Sequence, residues 1–235
     1  MRLAERFWKT LVHALGIANL SPYGDEGIEQ RPLLGSAPPA QQRGGPVFAP
    51  PGGDPYSPLQ CQYPTMKGYR HCSTAADRSC WLVNDDGDRF DIHTDYEKRT
   101  PVGITRKYEL NITDGSLTLD GLPFNKAKVF NEKYPGPWLQ ACWGDTLQIT
   151  VNNRLRYNGT SIHWHGIRQY RTMHMDGVNG ITQCPIKPGA SFVYEFKATQ
   201  YGSSWYHSHY SIQYADGLVG PLVSLPRLLI VRTSG

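Results

Sequence analysis

The stretch LQITV (147–151) alternates apolar and polar residues, with the apolar side chains at every second position. Because successive side chains of a strand point to opposite faces, this alternation predicts a β-strand with one buried face. KYELNIT (107–113) and SFVYEF (191–196) show the same pattern on either side of it. GLVGPLV (217–223) is a short apolar run that predicts a last strand. The folded domain is therefore expected to be built from strands.

Turn-forming residues separate the predicted strands along the chain. They occur at Asp114-Gly115, Asp120-Gly121, Pro135-Gly136-Pro137, Asn158-Gly159, Pro188-Gly189 and Asp216-Gly217. No amphipathic segment of helix length lies between the strands, and the 24 glycines and 18 prolines favour strands and loops over helices. Strands at this spacing predict an all-β domain, either a sandwich or a barrel.

Composition excludes some classes of partner. The 235 residues carry a net charge of only +4 and no long basic run, so nucleic acid is not an expected partner.

The first residues have a basic start and an apolar centre broken by Lys9 and His13. This pattern makes a weak signal sequence and excludes a membrane-spanning helix. Sequons at Asn19, Asn111 and Asn158 add weak support for a secreted glycoprotein.

Residues 1–66 are predicted to form a leader outside the folded domain. Nine of the 18 prolines fall within residues 31–64, in stretches such as SAPPA and FAPPGG. Such a composition offers little apolar surface to bury, so it predicts an extended, disordered Pro/Gly-rich segment.

Two short stretches suggest metal chemistry. SIHWHGI (161–167) and SWYHSHY (204–210) each hold two histidines two residues apart, beside an aromatic residue. Among eight histidines in 235 residues, chance predicts roughly 0.3 such pairs. In a strand, residues i and i+2 lie on one face about 6.5–7 Å apart at Cα. That spacing suits two neighbouring metal ions, each taking one imidazole from each pair, and imidazole-only ligation suits copper, zinc, iron or nickel.

The remaining histidines are not expected to bind metal. His174 lies in a loop with methionine and glycine neighbours, and His71 and His93 are interpreted as surface residues. Four imidazoles leave two or three ions short of ligands, so further ligands must come from elsewhere in the molecule or from a partner. A zinc-binding β-sandwich and a non-catalytic metal-binding module remain open alternatives.

Four ordered motifs resemble a known family. GTSIHWHGI (159–167), MDGVNGITQCPI (175–186) and YGSSWYHSHYSIQYADGLVGPL (201–222), together with NEKYPGPWLQACWGDTLQITVNN (131–153), look like the first cupredoxin domain of the multicopper oxidases. Within that family the chain is most similar to laccases of the ascomycete type. The resemblance runs from about Cys72 to Val223 and implies a cupredoxin-like, Greek-key β-sandwich.

The resemblance implies roles for particular residues. In this family three copper ions reduce O2 to water while phenols lose single electrons, and the first and last domains supply the ligands. Carried over by motif, His163 would bind the type 2 copper, whereas His165, His207 and His209 would bind the type 3 pair. Asp176 matches an acidic residue near the cluster, where a carboxylate can orient a ligand or relay protons. Trp164 and Trp205 would shield the ligands, although packing explains them equally well.

The cysteines fit the resemblance in part. Cys72 and Cys80 match a short amino-terminal disulfide of the family. Cys184 matches a cysteine whose partner lies in the carboxy-terminal region of the family, so it is expected to be unpaired. The resemblance assigns no role to Cys61 or Cys142.

The predicted organisation is a leader at 1–66, a cupredoxin-like domain at 67–223 and a tail at 224–235 outside the family pattern. Val-Ser at 223–224 is what GTAAGT, a typical intron start, would encode, so the tail is interpreted as possible intron read-through.

The resemblance also sets limits on activity. The His-Cys-His motif of the type 1 copper site does not occur in this sequence. The chain by itself is therefore expected to supply half of the trinuclear cluster and to show negligible phenol oxidase activity. The family's second and third domains would be its natural partner surface. A ferroxidase or ascorbate oxidase remains an alternative within the family.

Overall fold

The computed structural model describes residues 59–74 and 76–225. The sequon at Asn19, most of the predicted leader and residues 226–235 of the predicted tail lie outside this part of the chain.

Within the described residues the chain forms eleven strands and one short 3-10 helix at Met173–Met175. No helix among the described residues has the length and apolar character needed to cross a membrane. The strands are β1 Arg70–His71, β2 Cys80–Val83, β3 Arg89–Asp91, β4 Thr105–Thr118, β5 Pro123–Phe130, β6 Leu139–Cys142, β7 Thr146–Asn153, β8 Ile162–Trp164, β9 Ser191–Lys197, β10 Gly202–Ser208 and β11 Val219–Leu225.

Two four-stranded sheets form a sandwich. One sheet has the strand order β5-β4-β7-β9 and the other β6-β11-β10-β8, while β1, β2 and β3 form a small separate sheet. The pairs β4–β7 and β6–β11 are parallel, and the remaining pairs are antiparallel. After β8 the chain crosses to the opposite sheet as β9 and returns as β10 beside β8. The all-β, cupredoxin-like sandwich predicted from the sequence is confirmed.

The alternating stretches form strands with one buried face, as predicted. Every second residue of β7 is buried, including Leu147, Ile149 and Val151. In the neighbouring β9, Tyr194 and Phe196 occupy the same face. Full burial of side chains of this size contributes about 1.5–3 kcal/mol each, so the alternation fixes which face of the sheet meets the core.

A single apolar core lies between the two large sheets. It combines Leu110 and Ile112 from β4 with Ile162 and Trp164 from β8. Tyr206 of β10 is also fully buried there, and its hydroxyl donates to the carbonyl of Pro137 at 2.7 Å. The strands that carry the two histidine motifs are therefore anchored in the main core.

The turn predicted at Asp114-Gly115 is wrong. Both residues lie inside β4, which runs on to Thr118, and the register with β5 shifts between Gly115 and Leu117. Glycine within a strand often marks a bulge of this kind, because it packs no side chain and bends easily. The reversal of the chain comes later, where Gly121 takes a φ of +88°.

One disulfide closes a loop within the amino-terminal part of the described chain, and a second ties that part to the sandwich. Cys72 pairs with Cys80, as the resemblance implied, and Cys61 pairs with Cys142 at the end of β6. The second pair was not assigned from the sequence, although it involves the two cysteines left without a role. Cys184 is exposed and unpaired among the described residues.

The predicted domain limits fall inside the described part of the chain. Cys61 is held by its disulfide, and the hydroxyl of Tyr63 donates to the carbonyl of Trp143 at 3.0 Å, so residues before position 67 pack on the domain. At the other end, Ser224 and Leu225 continue β11 because they keep the parallel pairing with β6. The division into leader, domain and tail otherwise stays a prediction.

A buried carboxylate closes the turn between β6 and β7. Asp145 is fully buried, and its Oδ1 accepts the backbone N–H of Ile104 at 2.9 Å. Its Oδ2 accepts the N–H of Cys142 at 2.8 Å and Nε of Arg106 at 2.6 Å. With three donors the charge is fully compensated, which is the condition for keeping a carboxylate in an interior.

Removal of this carboxylate is expected to destabilise the fold strongly. Asp145→Ala leaves the Arg106 guanidinium and two backbone N–H groups without their acceptor, and breaking a buried pair in this way costs about 3–5 kcal/mol. Urea unfolding measures the effect as a lower midpoint. Asp85→Ala is the control, because Asp85 pairs with Arg70 on the surface and its loss should leave the midpoint unchanged. Equal midpoints for both variants would contradict the prediction.

Candidate metal centre

The pairing of β8 with β10 brings the two histidine motifs together. In this antiparallel pair His163 lies opposite His207, and Trp164 lies opposite Tyr206. Side chains alternate between the faces of a sheet. Since Trp164 and Tyr206 point into the core, His163 and His207 occupy the outer face of the sheet.

Four imidazoles converge on this outer face. The ring centroid of His163 lies 5.6 Å from that of His165, 5.3 Å from that of His207 and 5.5 Å from that of His209. His207 lies 5.7 Å from His165 and 6.2 Å from His209. His165 and His209 each follow the last residue of their strand and, because the strands are antiparallel, they lie at opposite ends of the pair, beside Trp205 and Ser161 respectively. The convergence expected from the sequence is present.

Three of these residues form a tighter set. One ring nitrogen from each of His163, His165 and His207 lies within 4.8 Å of those of the other two. His209 does not belong to this set in the described part of the chain. The three nitrogens lie close enough together to surround one small volume. The ring of His209 lies next to that volume.

Backbone carbonyls orient two of the rings. Nδ1 of His163 lies 2.9 Å from the carbonyl oxygen of Asp176, and Nδ1 of His207 lies 3.0 Å from that of Ser208. A carbonyl only accepts, so each Nδ1 must carry the hydrogen. Nε2 of both residues therefore keeps the lone pair that a metal ion requires, an arrangement common among metal-binding histidines.

The surroundings favour the neutral form of two of the imidazoles, those of His207 and His165. Burial, followed by the neighbouring His163, His165 and His209, lowers the pKa of His207 to about 4 against the opposing effect of its bond to Ser208. Burial and then the charge of His163 lower the pKa of His165 as well. Metal ions bind the neutral form of histidine, and His165 and His207 are in that form at neutral pH.

The two tryptophans have different roles in the structure. Trp205 stacks on His207 with ring centroids 4.1 Å apart and lies 5.0 Å from the ring of His165. Trp164 is buried in the core against Tyr194. Trp205 therefore lies against the histidine rings, whereas Trp164 packs in the core.

Asp176 lies beside His163, as the sequence suggested. Its Oδ1 is 3.3 Å from Nδ1 of His163, in addition to the carbonyl contact. The loop that carries it is pressed against β8, since a Cβ on Gly177 would lie 1.8 Å from the carbonyl oxygen of Ile162. Gly177 also has a φ of +77°, so both space and backbone conformation call for glycine there.

A buried polar network behind the motifs was missed from the sequence. Oε1 of Gln213 accepts the hydroxyls of Thr160 at 2.9 Å and Ser208 at 2.7 Å, and its Nε2 donates to the carbonyl of Gly159 at 2.9 Å. Ser208 separates the two histidines of the second motif, so the network fixes the backbone between them. Gln213 follows a polar loop with no periodic pattern, and no sequence signal marked it as buried.

The other histidines in the described part of the chain stay apart from this cluster. His174, on the 3-10 helix, is exposed, as are His71 and His93. None of them belongs to a group of potential metal ligands among the described residues. The exposure of His71 and His93 agrees with their interpretation as surface residues, and the interpretation of His174 as a bystander stays a prediction.

Comparison with known proteins identifies the family. The family model described as "Multicopper oxidase" matches residues 111–227. A laccase of Arthroderma benhamiae is 53% identical over 167 residues, 70% of this chain and 25% of that protein. Dihydrogeodin oxidase of Aspergillus terreus is 54% identical over 149 residues, 62% of this chain and 24% of that protein. The crystal structure of the laccase from Botrytis aclada is similar with a TM-score of 0.60 and 49% identity, covering 65% of this chain and 27% of that chain.

The chain belongs to the multicopper oxidase family. It spans about a quarter of the length of these relatives. The multicopper oxidase domain is laccase-like, so the ferroxidase and ascorbate oxidase alternatives are not favoured. Copper is the cofactor of the family, and the imidazoles fit it, since Nδ1 of two rings is bound to a carbonyl and Nε2 is left for a metal ion.

The loop that carries Asp176 offers a test of how His163 is oriented. Gly177→Ala should push the loop away from β8 and break the bond between the Asp176 carbonyl and Nδ1 of His163. Copper affinity should then fall by about 10–100-fold, the usual effect of losing a group that orients a ligand. The measurement is copper binding in competition with a chromogenic chelator.

Gly180→Ala is a matched control for this variant. Gly180 has nearly the same backbone conformation, with a φ of +78°, but a Cβ there would meet no atom within 4 Å. Gly180→Ala therefore has the same conformational cost as Gly177→Ala, but its new Cβ does not overlap with β8. If both variants bound copper equally well, the orienting role of the loop would be ruled out.

The Gln213 network is expected to contribute to stability. Gln213→Leu leaves the hydroxyls of Thr160 and Ser208 and the carbonyl of Gly159 with fewer partners, and each buried group left unpaired costs about 1–3 kcal/mol. The Tm should therefore drop clearly. Gln148→Leu, which removes an exposed bond to Glu195, should leave the Tm almost unchanged. A small drop for Gln213→Leu would show that water replaces the amide.

Proposed function

We propose that His163, His165, His207 and His209 bind copper and form the first domain's half of the trinuclear cluster of a laccase-like enzyme. The observation that carries this proposal is the convergence of the four rings on the outer face of the β8–β10 pair. Every one of these rings has at least one imidazole neighbour within about 6 Å, which suits ions held in a shared group.

The individual assignments follow the motifs. His163 would bind the type 2 copper, and His165, His207 and His209 would bind the type 3 pair. Bound copper would take up electrons one at a time and supply the place where O2 is reduced to water. The other ligands would come from the family's third domain, whose histidine motifs this sequence does not contain.

This chain's own residues would position the cluster and manage protons. The carbonyls of Asp176 and Ser208 fix the tautomers of His163 and His207. Trp205 covers one side of the His165 and His207 rings. The carboxylate of Asp176 is partly exposed and lies beside His163, so it is placed to take protons from solvent and pass them towards the cluster.

Phenols and O2 are the proposed substrates of the enzyme to which this domain belongs. The support is the laccase and dihydrogeodin oxidase relatives at above 50% identity. Secretion into an extracellular space is proposed on the same ground. The two disulfides agree with it, because disulfides persist in oxidising compartments.

Copper binding by the 235-residue chain tests the role of the histidines. After dialysis against excess Cu²⁺, metal per chain is measured by elemental analysis. The double variant His163→Ala/His207→Ala should lose the retained copper. His93→Ala, which removes an exposed histidine outside the cluster, should retain it.

Two results would overturn the proposal. Copper retained equally by the double variant and the wild type would show that the cluster does not hold it. Preference for Zn²⁺ over Cu²⁺ in a mixed-metal dialysis would favour the non-catalytic zinc module, since a flexible imidazole site should follow the order in which Cu²⁺ binds more tightly.

A further inference from the structure

We propose that this chain by itself binds a single Cu²⁺ ion first between His163, His165 and His207, with His209 outside that site. The inference rests on the proposed function, because it assumes that these histidines are copper ligands. It differs from the motif assignment, which divides the same three residues between two kinds of copper site. In the chain by itself, one Cu²⁺ ion therefore fills a mononuclear site before any second ion binds.

The distances between the ring nitrogens are compatible with one ion bound by all three histidines. Imidazole nitrogen binds at about 2.0–2.1 Å from a metal of this kind, so two nitrogens on one ion cannot be more than about 4.2 Å apart. One ring nitrogen from each of the three histidines lies within 4.8 Å of those of the other two. At that limit, one pair would have to close by only about 0.6 Å, which a small rotation of an exposed side chain provides.

The three rings combine two fixed ligands with one adjustable ligand. His163 and His207 are oriented by their bonds to carbonyls, and His207 is also stacked on Trp205. The side chain of His165 is exposed. Its ring can turn towards an ion already held by the other two at little cost in packing.

His209 is placed beside this set rather than in it. Its backbone N–H donates to the carbonyl of Ser161 at 2.8 Å, which fixes where the residue leaves β10. Its ring is exposed, and it stacks beside His207 with centroids 6.2 Å apart. This position suits a ligand for a neighbouring ion.

A second ion would be bound much more weakly in this chain. Two divalent ions in such a site lie about 3.5–4 Å apart and repel each other. The carboxylate of Asp176 lies beside His163 and offsets part of that repulsion with its single negative charge. Dividing four imidazoles between two ions leaves about two for each, whereas one ion gains three. The first ion should therefore take the three-imidazole site and complete its coordination with water.

A titration with Cu²⁺ tests the proposal on the 235-residue chain. Affinity is measured by competition with a chromogenic chelator, and the electron paramagnetic resonance spectrum at one equivalent counts the nitrogens coupled to copper. The wild type should show one tight equivalent with three nitrogens. His165→Ala should lower the affinity by at least about 100-fold, more than the loss of an orienting group does.

His209→Ala decides between the assignments. It should leave the first affinity and the three-nitrogen spectrum unchanged, as should His174→Ala, which removes an exposed histidine outside the cluster. Circular dichroism confirms that each variant is folded, and both exposed positions allow the change without disturbing the core.

The possible failures are distinguishable. Two equivalents of equal affinity, or a loss in His209→Ala as large as that in His165→Ala, would overturn the mononuclear site and leave the proposed copper function standing. Copper binding that no histidine variant alters would overturn both.

Discussion

The register between β8 and β10 determines the rest of the site. It sets His163 opposite His207 on the outer face and Trp164 opposite Tyr206 in the core. A slip of one residue would turn the histidines inward and the aromatic rings outward. Burying the imidazoles while exposing a tryptophan and a tyrosine would lose several kcal/mol. Hydrophobic packing on one face therefore fixes the positions of the histidines on the other.

Small residues make this register possible. A Cβ on Gly220 would lie 2.2 Å from Cζ of Tyr206, and one on Gly136 would lie 2.7 Å from its hydroxyl oxygen. Both glycines leave room for a fully buried tyrosine in a sheet interior. The hydroxyl of that tyrosine then reaches the carbonyl of Pro137, so its burial leaves no polar atom without a partner. The pocket for Tyr206 is thus part of what positions the neighbouring His207.

The sequence predicted the local features of this domain better than the long-range ones. Period-two alternation identified β4, β7 and β9, and the spacing of two residues placed each histidine pair on one face. The meeting of the two pairs depends on a crossover through β9 in the opposite sheet, which no local pattern encodes. The buried Gln213 was missed for the same reason. The Asp114-Gly115 turn failed because a glycine in a strand can bulge rather than reverse the chain, and only the pairing with β5 decides between these outcomes.

The contacts of Asp176 separate two tasks that the sequence had combined in one side chain. Its backbone carbonyl accepts Nδ1–H of His163 at 2.9 Å, whereas its carboxylate lies at the longer distance of 3.3 Å. Orientation of the ligand is thus performed by the backbone, which any residue would supply if Gly177 keeps the loop against β8. The carboxylate is therefore available for the electrostatic and proton-transfer role proposed for it. That proposed role would account for an acidic residue at this position, and the geometry of the loop accounts for the glycine after it.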